Sequence, residues 1–259
     1  MTVQEVAKAI ISAEREAGGL MLHARHIMAE EKTDPRNVVT EYDRKVQQHM
    51  INTLSALIPE AHFFCEEMAH PDSLNVEHVF IIDPIDGTMN FVHGFGHSCI
   101  SCAYVRAGVP SAGVVYNPYR DEMFSAVKGE GAFLNGRRIQ APDLPLEQCV
   151  TCFGSSPYND HLTDRTFALL RKAYTVSLDI RREGAAALDL CSVAAGRAGL
   201  FYELELSLWD YAAGAVIAEE AGAKCFTCEG EALPYDGRKS SVVAGTPQSV
   251  RTFLSWESI

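Results

Sequence analysis

The sequence predicts a mixed α/β fold, with an α+β N-terminal part over residues 1–141 and an α/β C-terminal part over residues 142–259. Three observations predict it. A helical stripe opens the chain, short strands with turn signals fill residues 79–139, and beyond Pro142 and Pro145 strand-like segments alternate with helices. With 259 residues, 47% of them apolar, the chain has enough material for a substantial core. That composition excludes a disordered, collagen-like or coiled-coil protein.

The elements follow in order. Val3, Val6, Ile10, Ala13, Ala17, Leu20, Ala24 and Ile27 recur at helical spacing. The polar stretch 30–37 breaks the stripe around Pro35. Thr40-x-x-Asp43 has the form of a capping box, opening a second helix with Val46, Met50, Leu54 and Leu57 on one face before Pro59. Val79-Phe80-Ile81-Ile82 reads as a buried strand that ends at Asp83-Pro84. Short strands are expected near 97–105, 113–116 and 122–127, and Asn135-Gly136 between apolar-flanked segments signals a hairpin turn. In the second half, helices are expected at 185–195, stopped by Gly196, and at 209–221, stopped by Gly222. Glu219 and Glu220 read as a solvated helix face, and Trp209 as a core anchor.

Charge and hydropathy exclude several function classes. Asp and Glu number 34 against 22 Lys and Arg, for a net charge of -12, which argues against direct nucleic-acid binding through a basic face. The uncharged stretch 87–105 contains Asn90, His93 and His97 and is too polar to span a membrane. Glu5, Lys8, Glu14 and Arg15 interrupt any apolar segment a signal peptide would need, so a cytoplasmic protein is expected.

Six of the eight cysteines form C-x-x-C pairs: Cys99/Cys102, Cys149/Cys152 and Cys225/Cys228. Such spacing can chelate zinc or form a redox disulfide. Each pair lies in a segment of strand character, however, where residues i and i+3 point to opposite faces. Buried free thiols are therefore expected.

The densest chemical signal is Asp83-Pro84-Ile85-Asp86-Gly87-Thr88, directly after the buried strand. Two carboxylates three apart can converge where a chain turns. They repel unless a cation lies between them, and hard divalent ions prefer oxygen ligands. A capped turn, with both aspartates bonded to backbone amides, would account for the hexapeptide equally well. Glu66-Glu67 after an apolar run reads as ligands or as a solvated pair. Asp210, at the start of a small-residue helix, reads as a ligand or an N-cap.

Taken together these motifs resemble the inositol monophosphatase family of Mg2+-dependent, lithium-sensitive phosphomonoesterases. The resemblance runs through Thr40-x-x-Asp43, Glu66-Glu67, the hexapeptide with Asn90-Phe91, Gly129-x-Gly131-Ala132 and Asn135-Gly136. It continues through Arg181-Arg182-x-Gly184-x-Ala186-Ala187-Leu188-Asp189-Leu190, which is similar to the bacterial branch, and Trp209-Asp210-x-Ala-Ala-Gly. It implies a layered αβαβα sandwich of the inositol monophosphatase/fructose-1,6-bisphosphatase type, with the site between its halves. Glu66, Asp83 and the Ile85 carbonyl would hold one Mg2+, and Asp83, Asp86 and Asp210 a second, with any third near Glu66. Thr88 and Asp43 would polarise the attacking water, so Asp43, Thr88 and Glu66 are the catalytic candidates. Gly87 and Thr88 amides would receive phosphate. Asp86, Glu203, Asp210 and the strip Gly184, Ala185, Ala186 would meet the rest of the substrate, and Lys32 would lie on a mobile loop over the metals.

The activity implied is hydrolysis of small phosphate monoesters by a metal-activated water, myo-inositol monophosphate first. Fructose-1,6-bisphosphatase or histidinol-phosphate phosphatase activity is the alternative, as is a binding role with the transcription machinery. The family habit is a homodimer. Four positions depart from the usual pattern or vary within it. Cys65 replaces a glycine, Asn37 an aspartate and Ala185 a hydroxyl residue, while Ser207 occupies a variable, substrate-selecting position.

Overall fold

In the computed structural model, which describes residues 1–69 and 72–256, the opening stripe becomes α1 (Val3–Leu22). Thr2 and Glu5 form its capping box. The helix ends earlier than the stripe. His23 closes it, with its N–H and its ring Nδ1 both reaching the Gly19 carbonyl, at 3.1 and 2.7 Å. Ala24 and Ile27 pack on the same core from outside the helix. The polar stretch expected as a loop forms an antiparallel hairpin instead, β1 (Ala29–Asp34) and β2 (Asn37–Thr40). Its turn is pinned because Arg36 folds back on Asp34 through backbone and guanidinium, at 2.8 Å each. The capping box at Thr40 opens α2 (Glu41–Leu57), as the sequence predicts.

A seven-stranded sheet follows: β3 (His62–Cys65), β4 (His78–Asp86), β5 (Cys99–Arg106), β6 (Val109–Asn117), β7 (Glu122–Val127), β8 (Gly131–Leu134) and β9 (Arg137–Ile139). Only β3 and β4 run parallel; the rest is a meander. The β8–β9 turn is at Asn135-Gly136, both with positive φ (49° and 75°), the type I′ geometry that residue pair favours. A short α3 (Thr88–Val92) leaves the end of β4. The C-terminal part adds β10 (Val150–Phe153), α4 (Thr163–Val176), β11 (Asp179–Arg181), α5 (Ala186–Ala194), β12 (Leu200–Leu206), α6 (Leu208–Glu220), β13 (Lys224–Phe226), β14 (Ser240–Gly245) and α7 (Pro247–Leu254). Its sheet runs β11-β10-β12-β14-β13, parallel through β12 and antiparallel beyond.

Three cores fill the spaces between five layers, one of them lying on both sides of the middle helices, and the fold is the αβαβα sandwich. Helices α1 and α2 bury Ile10, Met50 and Leu54 against Phe80, Ile100 and Tyr104 of the first sheet. Its other face, with Ile81 and Ala103, meets α5 and α6 through Leu190 and Tyr211, and these helices pack on Phe201 and Val242 of the second sheet. The outer face of that sheet buries Leu200 and Tyr202 under Leu169 of α4 and Phe253 of α7. Close approach of α6 to the first sheet depends on Gly113, where a Cβ would stand 2.4 Å from the Ala213 carbonyl oxygen. Each C-x-x-C pair splits between two of these cores: Cys99 from Cys102, Cys152 from Cys149, Cys225 from Cys228. All eight cysteines are free and buried. Among the described residues no helix is long and apolar enough to cross a membrane.

Glu220 departs from its solvated-face expectation. Its carboxylate accepts the amides of Gly129 and Gly131, at 2.8 Å each, and so fastens the β7–β8 turn to α6. Glu14 lies fully buried on α1, and among the described residues neither carboxylate oxygen has a partner.

Candidate active site

Strand β4 does not end at Asp83-Pro84. It runs on to Asp86, and the irregularity falls between them: Asp83 opposes Ser101 and Asp86 opposes Cys99. Three steps on β4 are matched by two on β5, so one extra residue is inserted where Pro84 has no N–H for the ladder. In a regular strand residues three apart face opposite ways. The bulge removes that mismatch, and Asp83 and Asp86 share the face that carries Val79 and Ile81. Ile85 turns to the opposite core. This is how two carboxylates at i and i+3 come to face one cavity.

That cavity has a volume of about 430 Å3. Every site residue singled out from the sequence lines it except Asp43 and Lys32. Both reach it through a neighbour. The Thr88 hydroxyl donates to Asp43 Oδ1 at 3.2 Å and to the Ile85 carbonyl at 2.9 Å. Asp43 is aimed by its own capping box, since Oδ2 accepts from the Thr40 amide (2.8 Å) and hydroxyl (2.5 Å). The cap of α2 thus orients the carboxylate that holds Thr88. Lys32 lies on strand β1 of the hairpin, not on a loop, and its ammonium bonds Glu66 Oε1 at 2.8 Å and Glu67. Burial opposes that charge, but the two glutamates outweigh it and hold the lysine proton more tightly.

The first sheet and the α5–α6 layer are joined at the site. The Ala187 amide, at the start of α5, donates to Asp86 Oδ2 at 2.8 Å, and the Cys99 thiol approaches the same oxygen at 3.6 Å. Gly87 adopts φ 81°, and a Cβ there would meet the Gly184 carbonyl oxygen and Ala185 Cβ at 3.1 Å. Asn90 ties the seam by donating to the carbonyls of His97 and Glu183, both at 2.8 Å. Asp210 accepts the Ser207 amide at 2.6 Å. Ser207 caps α6, and Leu206 rather than Ser207 lines the cavity. Glu203 accepts the Ser156 amide and hydroxyl at 2.8 and 3.0 Å. Trp209 packs on Phe64 with ring centroids 5.6 Å apart.

The electrostatics favour a cation. Burial, then the Glu66 charge, pushes the protons of Asp83 and Asp210 well up from the carboxylate range. Asp86 rises mainly through burial, partly offset by the Ala187 amide. Among the described residues no ion pair reaches any of the three aspartates. As placed, no three acidic, histidine or cysteine side chains among the described residues close into a metal cage, and Glu66 is engaged by Lys32. The donor set is nevertheless all hard oxygen, and its three aspartates face no cation among the described residues, which fits a small divalent ion. Cys65, beside Glu66, is buried, and its thiol proton is held more tightly by burial and by Asp72 and Asp83, as expected for a quiet thiol.

Of the arginine pair Arg181-Arg182, which the sequence offers for a phosphate, a subunit contact or a surface ion pair, Arg181 pairs with Asp179 and Arg182 lines the cavity. Sequence reasoning missed part of the wall: Arg36 at the hairpin turn, Asp189 and the stretch Gly154, Ser155, Pro157, Tyr158 also line it. A Gly-Ser-Ser-Pro run after a strand end was the available signal for the last of these. Gly154 leaves room for Glu203, whose Oε2 would be 1.8 Å from a Cβ there.

Comparison with known proteins agrees with this geometry. A family model described as the inositol monophosphatase family matches residues 2–255. The inositol-1-monophosphatase of Mesorhizobium japonicum is 37% identical over 221 residues, covering 85% of this chain and 82% of that protein. The Nus factor SuhB of Pseudomonas aeruginosa is 33% identical over 263 residues, covering 98% and 96%. A solved structure of an IMPase/NADP phosphatase complexed with Mg2+ and phosphate superposes with a TM-score of 0.88 at 27% identity, covering 98% of this chain and 95% of that one.

Proposed function

The chain belongs to the inositol monophosphatase family, and on that premise we propose that it hydrolyses small phosphate monoesters with Mg2+, myo-inositol monophosphate being the first substrate to test. The observation that carries this reading is the convergence of Glu66, Asp83, Asp86 and Asp210 on one cavity beside the Thr88–Asp43 hydrogen bond. Glu66, Asp83 and the Ile85 carbonyl would hold one ion, Asp83, Asp86 and Asp210 another, and any third would lie near Glu66. When bound, the ions would offset the carboxylates, polarise the ester phosphate and lower the pKa of an attacking water.

The chain's own residues do the rest. Thr88 has its hydroxyl hydrogen committed to Asp43 and Ile85, so its oxygen presents a lone pair that orients a water and takes up its proton, with Asp43 behind it. Gly87 and Thr88 amides receive phosphate oxygens, while Glu203, Asp210 and the backbone of Gly184, Ala185 and Ala186 meet the leaving alcohol. The absence of a hydroxyl at Ala185 leaves that strip with backbone groups only. We read 1–141 and 142–259 as the two halves that meet here, in a cytoplasmic homodimer.

Phosphate release from inositol monophosphates, fructose 1,6-bisphosphate and histidinol phosphate, with Mg2+, with chelator and with Li+, tests the proposal. Mg2+-dependent, Li+-sensitive turnover that disappears in Asp83→Asn supports it. No turnover of any ester by folded protein overturns it. Similarity to a protein named a Nus factor supports a second reading, a binding role with the transcription machinery, with or without catalysis.

A further inference from the structure

Glu14 and Asp189 are buried carboxyl groups with an oxygen that has no partner among the described residues. Their surroundings differ. Glu14 sits under α1 against an apolar core, whereas Asp189, only 1% exposed, lines the active-site cavity. Asp189 is the one charged residue of α5; the rest of that helix is alanine, leucine, valine, cysteine and serine. Leu188 and Leu190 already pack it into the core, so packing alone does not call for a carboxyl there. Burying a polar atom with no hydrogen bond costs about 1–3 kcal/mol.

The place of Asp189 on the helix says what it faces. It lies three residues after Ala186 and four after Ala185, so it shares a helix face with the strip assigned to the leaving alcohol. Its amide is spent within the helix, on the Ala185 carbonyl at 3.0 Å, and Ala185 brings no polar side chain to the carboxyl. Burial, then the charges of Glu183 and Asp86, holds its proton well above the carboxylate range, opposed by the Cys152 thiol of β10. Such surroundings repel a further anion. They suit a hydroxyl, which donates to a carboxylate and both donates to and accepts from a protonated carboxyl.

We infer that Asp189 is a further leaving-group contact, holding a hydroxyl of the departing polyol or sugar beside Glu203 and Asp210. The inference rests on the phosphatase reading and deepens it by naming a specificity-determining side chain. A water meets the need of the carboxyl until the substrate hydroxyl displaces it. Esters of polyhydroxy alcohols gain from this contact, and inorganic phosphate, which has no alcohol part, does not.

The test measures KM for myo-inositol 1-phosphate, or for fructose 1,6-bisphosphate if the wild type prefers it, alongside Ki for inorganic phosphate. Asp189→Leu should raise KM about tenfold with kcat little changed, and leave the phosphate Ki within about twofold. Asp189→Asn, which keeps a donor and an acceptor, should recover most of that loss. Asp189→Ser takes the place of the leucine variant if thermal unfolding shows the latter misfolded. An unchanged KM in Asp189→Leu, or KM and Ki rising together, overturns the contact and leaves the phosphatase reading intact. A raised Mg2+ requirement as the main effect assigns Asp189 to the ions and overturns the contact as well. No hydrolysis of either ester by folded wild type overturns both readings.

Discussion

Replacing Glu14 with methionine should stabilise the protein, and increasingly so as pH rises. Glu14 is completely buried in α1, with Ile10, Ala13 and Ala17 on the same face, and among the described residues both of its oxygens are without partners. Burial alone pushes its proton well up from 4.5, and no neighbouring charge offsets it. The nearby titratable groups are the Cys99 and Cys102 thiols of β5 and the Cys191 thiol of α5, all themselves buried and raised. In the unfolded chain the carboxyl loses its proton near its ordinary value, while the folded chain must retain it or bury a bare charge. Stability is therefore greatest below about pH 4.5 as far as this group is concerned, and falls as pH rises until the folded value is passed. The slope is about 1.4 kcal/mol per pH unit in that window. Denaturant unfolding of wild type and Glu14→Met at pH 5, 6 and 7 measures it. The gap between the two should widen as pH rises from 5, on top of a gain of about 1–3 kcal/mol from removing an unpaired polar group. Parallel pH dependences, or a methionine variant less stable at pH 7, would refute the reasoning.

Other predictions follow from the packing and the site. Gly113→Ala places a methyl 2.4 Å from the Ala213 carbonyl oxygen and should cost about 1–3 kcal/mol in denaturant unfolding, because backbone rather than a flexible side chain must give. Thr40→Ala removes a helix cap and the hydroxyl bond that helps to aim Asp43, leaving only the backbone amide; it should lower stability by about 1 kcal/mol and reduce kcat with little change in KM. Glu220→Gln leaves one of the Gly129 and Gly131 amides without its acceptor and should cost about 1–2 kcal/mol, seen also as faster amide exchange at the β7–β8 turn. Gly154→Ala drives a methyl into the Glu203 carboxylate and should raise KM more than it lowers kcat.

Local chemistry explains what was legible in the sequence. The capping box at Thr40 and Asp43, the Asn135-Gly136 turn and the split of each C-x-x-C pair depend on residues a few positions apart, and they are as the pattern predicts. The convergence of Asp83 and Asp86 could be suspected, but its cause could not, because the bulge is defined only by pairing with β5. Glu14 reads as a surface charge on one helix and becomes a core residue only once a sheet is laid against it. Helix α4 gave no clean stripe, since Phe167 and Tyr174 are exposed at 58% and 68%. Glu220 acquires its role from a glycine turn 89 residues away, and only the fold brings these partners together.

The bond from the Ala187 amide to Asp86 also makes a reporter of the seam. Strand β4 and helix α5 cannot separate without freeing an oxygen of Asp86 and exposing that one N–H to solvent exchange. A ligand gripping Asp86 from the cavity would resist the same separation, so its occupancy should be readable in the exchange rate of a single proton.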